Sequence, residues 1–152
     1  MGLVVAEQKD EPLGLVYSGG TYDLLHPGHI NFLRQCADYG EVVVALNTDE
    51  FITQYKGRPP VMTYDERAYL LEAVCWVSKV VPNTGGADSK ETIELIQPDV
   101  IAVGSDWVRR DYHAQMSFTQ DWLDERNIHL LYIPYTQGIS TTELKRRINA
   151  IP

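Results

Sequence analysis

Short apolar runs rich in β-branched residues recur along the chain and alternate with stretches of helical periodicity. There are five such runs, at Leu13 to Tyr17, Val42 to Leu46, Val77 to Val81, Val100 to Val103 and Ile128 to Ile133. Runs that are apolar at successive positions are typical of strands buried on both faces. Their alternation with helices predicts an α/β fold, built on an open, parallel five-stranded sheet with helices on both faces.

Two helix starts carry the capping-box spacing, in which a hydroxyl residue is followed three positions later by a glutamate. Thr63 with Glu66 and Ser140 with Glu143 have this spacing. In such a pair each side chain satisfies a backbone group of the other residue, so helices are predicted to begin at these two points.

Two further helices are predicted from periodicity. From Pro27 to Tyr39 the apolar residues fall at three- and four-residue spacing, and Gly40 is placed to end the helix. A first strand-loop-helix unit therefore spans Leu13 to Gly40. The second helix is predicted from about Ala114 to Arg126, inside a long polar and aromatic segment that runs from Trp107 to Asn127.

Length and composition suit one domain with one core, because the chain has 152 residues and 44% of them are apolar. We predict a single domain over residues 13–152, preceded by a tail, residues 1–12, without a fixed structure. The longest apolar runs fall far short of the roughly 18 residues that cross a bilayer, so no membrane insertion is expected. The start of the chain lacks a signal-peptide pattern, which predicts a cytoplasmic location.

The charge balance limits the partners. Thirteen lysines and arginines face 21 aspartates and glutamates, and the formal charge of −8 argues against binding to nucleic acid. An anionic ligand would therefore need a local positive potential. The two cysteines, Cys36 and Cys75, lie in predicted helix interiors, where buried and reduced thiols are expected.

Candidate chemistry centres on the glycine-rich run from Ser18 to His29, between the first predicted strand and helix. Backbone N–H groups in such a turn can approach a phosphate closely. His26 and His29 lie three residues apart at the helix start, and Gly28 leaves that side open, so both imidazoles can donate to phosphate oxygens. The alternatives are a chance pair on a solvated helix end and half of a metal site, although neither cysteine has the spacing of a zinc partner.

The run from Gly20 to His29, GTYDLLHPGH, resembles the signature of the HxGH nucleotidyltransferases and in particular of the cytidylyltransferases that act on glycerol 3-phosphate and phosphoethanolamine. This family has a Rossmann-like fold. Three later segments match in order, namely Lys56 to Met62 followed by Asp65 to Arg67, Gly104 to Trp107, and the block Gln137 to Thr142 with the letters GISTT. The resemblance covers Leu15 to about Ile148, which is nearly the whole chain.

The resemblance implies a reaction in which a phosphate oxygen of a phosphorylated alcohol attacks the α-phosphate of a nucleoside triphosphate. Pyrophosphate leaves, and magnesium or another divalent cation takes part. The implied catalytic residues are His26 and His29, which stabilise the phosphates in the transition state, and Lys56, which bridges them. The implied nucleotide-binding residues are Gly20, Thr21, Tyr22, Asp23, Gly28, Asp106, Gln137, Gly138, Ile139, Ser140, Thr141 and Thr142.

Three basic residues are candidates for the acceptor phosphate: Lys56, Lys90 and Arg67. Lys56 is expected on a glycine-flanked loop, where a solvated surface lysine is the alternative. Arg67 is predicted near a helix start, where a cation gains nothing from the helix dipole, so it either binds an anion or pairs with a neighbouring carboxylate. Asp23 and Asp106 are both candidates to hold magnesium. Asp23 could instead orient a histidine or stabilise the turn, and Asp106 could contact the base or the ribose.

The sequence departs from the family pattern at two places. Tyr135 stands where the enzymes for glycerol 3-phosphate and phosphoethanolamine have an arginine, so one phosphate-binding cation is missing. The long segment from Trp107 to Asn127 carries Arg109 and Arg110, and it is expected either to supply that cation or to reshape the acceptor pocket.

The leading hypothesis is a cytidylyltransferase that uses CTP and a small phosphorylated alcohol resembling glycerol 3-phosphate. The resemblance also implies a homodimer. One alternative keeps the fold and the reaction but uses ATP, as the adenylyltransferases for heptose phosphate or flavin do. Another is a nucleotide-binding module that turns over weakly or not at all.

Overall fold

The structure is a computed structural model that describes residues 14–152, so the predicted tail, residues 1–12, lies outside the described residues. The strands are β1 (Leu15–Gly20), β2 (Glu41–Asn47), β3 (Val77–Asn83), β4 (Val100–Gly104) and β5 (His129–Ile133). The helices are α1 (Pro27–Ala37), α2 (Asp49–Lys56), α3 (Tyr64–Glu72), α4 (Lys90–Ile96), α5 (Tyr112–Met116), α6 (Gln120–Glu125) and α7 (Thr141–Asn149). A 3₁₀ turn spans Ser105–Arg109.

The five strands form one parallel sheet in the order β3-β2-β1-β4-β5. The chain winds outward from β1 to β3 and then crosses to the other side of β1 to continue with β4 and β5. All five predicted strands are present, and the α/β, Rossmann-like sheet is confirmed. No helix of residues 14–152 is long and apolar enough to cross a membrane.

Helices cover both faces of the sheet, and each face has its own core. On one face, residues of α1 and α3 such as Leu33 and Leu71 pack against Val44 of β2. On the other face, residues of α4, α5 and α6 pack against Tyr17 of β1 and Ile101 of β4. Because both faces are covered, the central strands are apolar at successive positions, as the sequence pattern indicated.

The first strand-loop-helix unit is shorter than predicted. β1 begins at Leu15 and α1 ends at Ala37, where Asp38 caps it. Gly40 lies beyond that cap with a φ of 151°, and a Cβ there would stand 2.3 Å from the carbonyl oxygen of Gly14. This glycine therefore serves the close turn into β2 and does not end the helix.

The predicted helix from Ala114 to Arg126 is wrong, because the segment forms two short helices. Ser117 ends α5 in the left-handed conformation with a φ of 61°, and its hydroxyl donates to the carbonyl of Ala87. Thr119 then caps α6 by accepting a hydrogen bond from the N–H of Trp122. The bond to Ala87, far away in the sequence, fixes the break.

Three other local predictions need correction. Lys56 is the last residue of α2, which begins after the cap at Thr48, and is not on a loop. Cys75 is exposed in the turn that follows α3, whereas Cys36 is buried in α1 as predicted, and both thiols are free. The capping box is complete at Thr63, but at Ser140 only the serine half forms.

Candidate active site

The candidate site lies where the strands end. In a parallel sheet the carboxyl ends of all strands meet at one edge, and here the order reverses between β1 and β4, which opens a crevice at that edge. A central cavity of about 320 Å³ occupies the crevice. It is bounded by the end of β1, the starts of α1 and α7, and the ends of β4 and β5. Nine of the predicted site residues line it, namely Gly20, Thr21, Tyr22, His26, Gly28, His29, Ile139, Ser140 and Thr141.

The turn between β1 and α1 is held in an unusual conformation. Tyr22 and Leu24 have φ values of 50° and 52°, a region that non-glycine residues rarely occupy. The turn persists because it is anchored on three sides. The Tyr22 hydroxyl is hydrogen-bonded to Ser18 over 2.6 Å, and Thr141 of α7 donates to the carbonyl of Asp23 over 2.8 Å. The Asp23 carboxylate accepts the N–H groups of Val61 and Met62, at 2.8 and 2.9 Å.

The two histidines form the capping box of α1. Nδ1 of His26 accepts the N–H of Gly28 over 3.0 Å, and Nδ1 of His29 accepts the N–H of His26 over 3.3 Å. The rings stack with their centroids 3.7 Å apart. A nitrogen that accepts a backbone N–H carries no proton, so in the neutral rings the proton is on Nε2 in both. Each histidine therefore keeps one N–H donor for a ligand.

Burial disfavours the charged form of both imidazoles. It lowers the pKa of His26, and burial together with the adjacent His26 lowers the pKa of His29 to about 3, against the opposing effect of Asp23. Gly28 is required by the same geometry, because a Cβ there would stand 2.8 Å from the His26 ring. A neutral pair of this kind offers a ligand hydrogen bonds and no positive charge.

Positive charge comes from a second wall of the site. A basic cavity of about 350 Å³, bounded by Lys56, Arg58, Lys145, His29 and Thr141, adjoins the central cavity. Partial burial and the neighbouring Lys145 ammonium lower the pKa of Lys56; Asp23 opposes this, and Arg58 adds to it. Three cations so close together are typical of a site for a multiply charged phosphate. The sequence pattern indicated Lys56, whereas Arg58 and Lys145 were not predicted.

A chain of buried side-chain hydrogen bonds supports Thr21. Thr92 of α4 donates to Asn83, Asn83 donates to Asn47 over 2.9 Å, and Asn47 donates to the Thr21 hydroxyl oxygen over 3.3 Å. Because the Thr21 oxygen accepts this bond, its own proton is free to be donated to a ligand. The two asparagines were not predicted, although both stand at the last position of a strand, where ligand-contacting residues are common in this fold.

Arg67 is fully buried and lines neither the central nor the basic cavity. Its guanidinium donates to the carbonyls of Met62, Thr21 and Asn47 and pairs with Asp49 over 2.6 Å. Of the two interpretations of Arg67, the pairing with a neighbouring carboxylate is the one observed. It joins α3 to α2 and to the ends of β1 and β2.

The remaining predicted residues lie around the margins. Lys90 pairs with Asp88 over 3.2 Å and donates to the carbonyl of Ser117, so its ammonium is engaged within the chain. Gln137, Gly138 and Thr142 line neither the central nor the basic cavity. The Ser140 oxygen caps α7 by accepting the N–H of Glu143 over 3.0 Å, which leaves the serine proton available.

Tyr135 and Asp106 stand together at the ends of β5 and β4. Burial, and next the hydrogen bond and negative charge of Asp106, raise the pKa of Tyr135 to about 12, while Arg110 acts in the opposite direction. Arg110 lies over the ring of Trp107, 5.5 Å from its centroid, and Trp107 lines both the central and the basic cavity. The long segment thus brings a cation towards Tyr135, the position where the family resemblance implies an arginine.

Magnesium in nucleotide sites is usually held by substrate phosphates and one or two carboxylates. Of the two candidates, Asp106 fits better, because its Oδ1 is buried without a hydrogen-bond partner among the described residues. Both oxygens of Asp23 already accept backbone N–H groups. No group of three or more histidine, cysteine or acidic side chains within residues 14–152 forms a site for a metal ion without substrate.

A crevice at the strand-order reversal, two helix starts that face it and a cluster of cations define a nucleotide-binding protein of the Rossmann-like α/β class. The sequence comparisons narrow the class. A family model described as cytidylyltransferase-like matches residues 17–147, and the chain belongs to this family. It is a nucleotidyltransferase.

Individual relatives agree with this assignment. The chain is 35% identical to a glycerol-3-phosphate cytidylyltransferase of Staphylococcus aureus, over 88% of this chain and 93% of that protein. It is 39% identical to an FAD synthase of Pyrococcus horikoshii, over 90% of this chain and 93% of that protein. A lipopolysaccharide core biosynthesis protein of Thermoplasma volcanium shares the fold, with a TM-score of 0.64 and 24% identity over 82% of this chain and 98% of that one.

Proposed function

We propose that this protein is a cytidylyltransferase that transfers CMP from CTP to the phosphate of a small phosphorylated alcohol resembling glycerol 3-phosphate. The observation that carries the proposal is the geometry of His26 and His29, whose free Nε2–H groups stand at the start of α1 beside the basic cavity. The similarity to the glycerol-3-phosphate cytidylyltransferase over nearly the full length of both chains supports the choice of nucleotide and acceptor.

The reaction forms one bond and breaks one. An oxygen of the acceptor phosphate attacks the α-phosphorus of CTP, the bond from that phosphorus to the β-phosphate bridge oxygen breaks, and pyrophosphate leaves with the electron pair. Such a transfer depends on positioning and on stabilisation of the developing charge, and it requires no covalent intermediate with the enzyme. Negative charge grows on the phosphate oxygens during this step, which is where preformed N–H donors act most strongly.

The residues divide this work by their chemistry. His26 and His29 donate to the α-phosphate, and Lys56 neutralises the two phosphates that meet. Arg58, Lys145 and the start of α7 hold the leaving pyrophosphate. Magnesium, bound to the triphosphate and to Asp106, would reduce the charge of the nucleotide further. Partial burial lowers the pKa of Lys56, while Arg58 and Lys145 add further basic groups to the basic cavity.

A second candidate is adenylyl transfer with ATP. The specific observation in its favour is the 39% identity to the FAD synthase, which exceeds the identity to the glycerol-3-phosphate enzyme. The catalytic groups described above would serve either nucleotide, because they contact phosphates and not the base.

The test is a matrix of the four nucleoside triphosphates against glycerol 3-phosphate, phosphoethanolamine, FMN and a heptose phosphate, with pyrophosphate release as the readout. We expect release with CTP and glycerol 3-phosphate, and none without an acceptor. Release with ATP and FMN would instead establish the second candidate. Binding of nucleotide without turnover on any acceptor would leave a nucleotide-binding module.

A further inference from the structure

A third cavity adjoins the central one on the side of β2 and β3. This β2–β3 cavity has a volume of about 240 Å³ and is bounded by Tyr17, Asn47, Tyr55, Lys56, Asn83 and Trp107, among others. It shares Gly19, Gly20, Thr21, Val103 and Trp107 with the central cavity. A molecule bound there would lie directly beside a nucleotide in the central cavity, and Lys56 lines both the β2–β3 cavity and the basic cavity.

The described lining of the β2–β3 cavity contains few charged groups. Lys56 is the one charged residue among the described residues that line it, and there is no carboxylate among them. A phosphate group therefore has a cation to meet, whereas an ammonium group on the rest of the acceptor would be desolvated without a counter-charge, which is costly. The lining of the β2–β3 cavity therefore favours an acceptor that is uncharged apart from its phosphate.

The floor of this cavity contains an unsatisfied hydrogen-bonding group. Tyr17 is fully buried, and its hydroxyl has no hydrogen-bond partner among the described residues. Burial raises the pKa of Tyr17 far above its ordinary value, so the phenol stays protonated and can both donate and accept. Leaving such a group unpaired is unfavourable, so a ligand hydroxyl that pairs with it, directly or through one water, gains affinity.

Gly19 leaves room for this hydroxyl. Tyr17 and Gly19 lie on the same face of β1, because alternate strand residues share a face. A Cβ at residue 19 would stand 2.7 Å from the Tyr17 hydroxyl oxygen, closer than a carbon and an oxygen can approach. The absent side chain lets the phenol extend towards the carboxyl edge of the sheet, where the substrates meet.

Two amides add donors to the same wall. Asn47 and Asn83 each use one amide N–H within the buried chain that ends at Thr21. An amide carries two N–H donors, so one remains on each residue. The described lining of the cavity therefore offers a phenol and amide donors, which are groups that recognise hydroxyls, and it offers no carboxylate that would pair with an ammonium.

We propose that the β2–β3 cavity binds the acceptor, that the acceptor is the phosphate monoester of an uncharged alcohol with further hydroxyl groups, and that Tyr17 determines this specificity by hydrogen bonding to one of those hydroxyls. The inference rests on the proposed function, because the ligand of the cavity is an acceptor only if the protein transfers a nucleotide to it. Tyr17 acts on acceptor binding and takes no part in the chemical step.

The test compares three probes that share the phosphate monoester. Glycerol 3-phosphate carries two hydroxyls, propyl phosphate carries none, and phosphoethanolamine carries an ammonium. Isothermal titration calorimetry on the full chain without nucleotide measures each affinity. We expect glycerol 3-phosphate to bind at least about 10-fold more tightly than either of the others, since it alone pairs with the phenol and the amides.

The variant Tyr17→Phe removes the hydroxyl and keeps the ring. We expect it to weaken binding of glycerol 3-phosphate by about 3- to 10-fold, the contribution of one hydrogen bond, and to leave propyl phosphate unchanged. Its melting temperature should equal or exceed that of the native protein, because a buried unpaired group is lost. Tyr39→Phe removes a hydroxyl from an exposed tyrosine outside the cavity and should change neither affinity.

Equal affinity of the native protein for the three probes, or a Tyr17→Phe variant that still prefers glycerol 3-phosphate to the full extent, would overturn the inference. The probe comparison in the native protein does not depend on the variant. If the protein transfers nucleotide but Tyr17→Phe binds glycerol 3-phosphate as tightly as the native protein does, this inference is wrong and the proposed function stands. Tyr17-dependent binding without any transfer defeats the proposed function and leaves the binding site in place.

Discussion

His26 and His29 each have two roles, and substitution by alanine would remove both roles at once. Each ring caps the start of α1 through Nδ1 and presents Nε2–H to the site. A side chain that keeps the capping acceptor and places no N–H at the position of Nε2 separates the roles. Asparagine is such a residue at position 26, because its oxygen can take the place of Nδ1 while its side chain is too short for its NH2 group to reach the place of Nε2. Glutamine keeps the capping acceptor at position 29.

The first prediction concerns His26→Asn. We expect turnover to fall by about 100-fold or more, the usual effect of removing one preformed donor in a transition state. The melting temperature should stay near that of the native protein, whereas His26→Ala should also lose about 1 kcal/mol of stability with the cap. Steady-state kinetics and thermal unfolding of both variants check this. Native turnover in His26→Asn would remove the catalytic assignment.

The second prediction concerns pH. His29 has its pKa lowered to about 3 in the folded protein, from 6.5. Between these values the unfolded chain binds a proton that the folded chain does not, so stability is complete above pH 6.5 and is lost as the pH falls towards 3. His29→Gln keeps the capping acceptor and cannot titrate. Its melting temperature should therefore depend less steeply on pH across that window, and equal slopes would contradict the assignment.

Among the secondary-structure elements, buried polar contacts tie the loops of the site to the helices. Arg67 is the main example, since one guanidinium holds the ends of β1 and β2, the loop at Met62 and the start of α2. The contacts leave the side chain no exposure, while its partner Asp49 keeps 35% of its side chain exposed.

The third prediction follows from that contact. Arg67→Met should cost about 3 kcal/mol, the lower end of the range for breaking a buried pair, because the Asp49 left behind is partly solvated. Binding of nucleotide should weaken as well, since the Thr21 carbonyl loses its donor. Urea unfolding measures the first effect and calorimetry the second. The matched control is Arg126→Met, which breaks an exposed pair with Glu94 and should cost under about 1 kcal/mol.

The fourth prediction concerns the segment after β4 and Tyr135, which stands where the family resemblance implies an arginine. Arg110 lies over Trp107 and its charge acts on Tyr135, whereas no contact of Arg109 with either residue is observed. Arg110→Ala should raise the dissociation constant for CTP by about 10-fold or more, the value of a charge-assisted contact. Arg109→Ala should leave it unchanged, and Tyr135→Arg should restore part of the loss in Arg110→Ala. Equal effects of the two alanine variants would contradict this division.

For the molecule as a whole, ligands and metal stabilise the fold by linkage. The site joins both halves of the sheet, so a nucleotide bound there contacts elements that separate on unfolding. Ligands that bind only the folded state stabilise it in proportion to the logarithm of their excess over the dissociation constant.

The fifth prediction is that CTP with magnesium raises the melting temperature more than CTP with a chelator. At about 100 times the dissociation constant the gain should be about 2.7 kcal/mol at 25 °C. Chelation should also stop pyrophosphate release. Differential scanning calorimetry of the full chain checks the shift. An identical shift with and without magnesium would mean that Lys56, Arg58 and Lys145 alone neutralise the triphosphate.

Size-exclusion chromatography with light scattering tests the homodimer that the family resemblance implies.

Local patterns in the sequence were enough to predict those parts of the protein that depend on neighbouring residues. Five strands, the capped start at Thr63 and the turn carrying His26 and His29 could all be predicted, because hydrophobic periodicity and capping are set by residues only a few positions apart. For the same reason the family signature indicated phosphate chemistry from the sequence alone, since most of it lies in one short run.

Contacts between distant residues depended on the tertiary structure instead. It paired Arg67 with Asp49, brought Lys145 of α7 beside Lys56 of α2, split the helix at Ser117 through a bond to Ala87, and left the Tyr17 hydroxyl without a partner among the described residues. None of these features has a local pattern that predicts it. They exist because the strand order β3-β2-β1-β4-β5 brings the carboxyl ends of strands from both halves of the chain to one edge of the sheet. Burial at that edge then determines which polar groups remain without a hydrogen-bond partner.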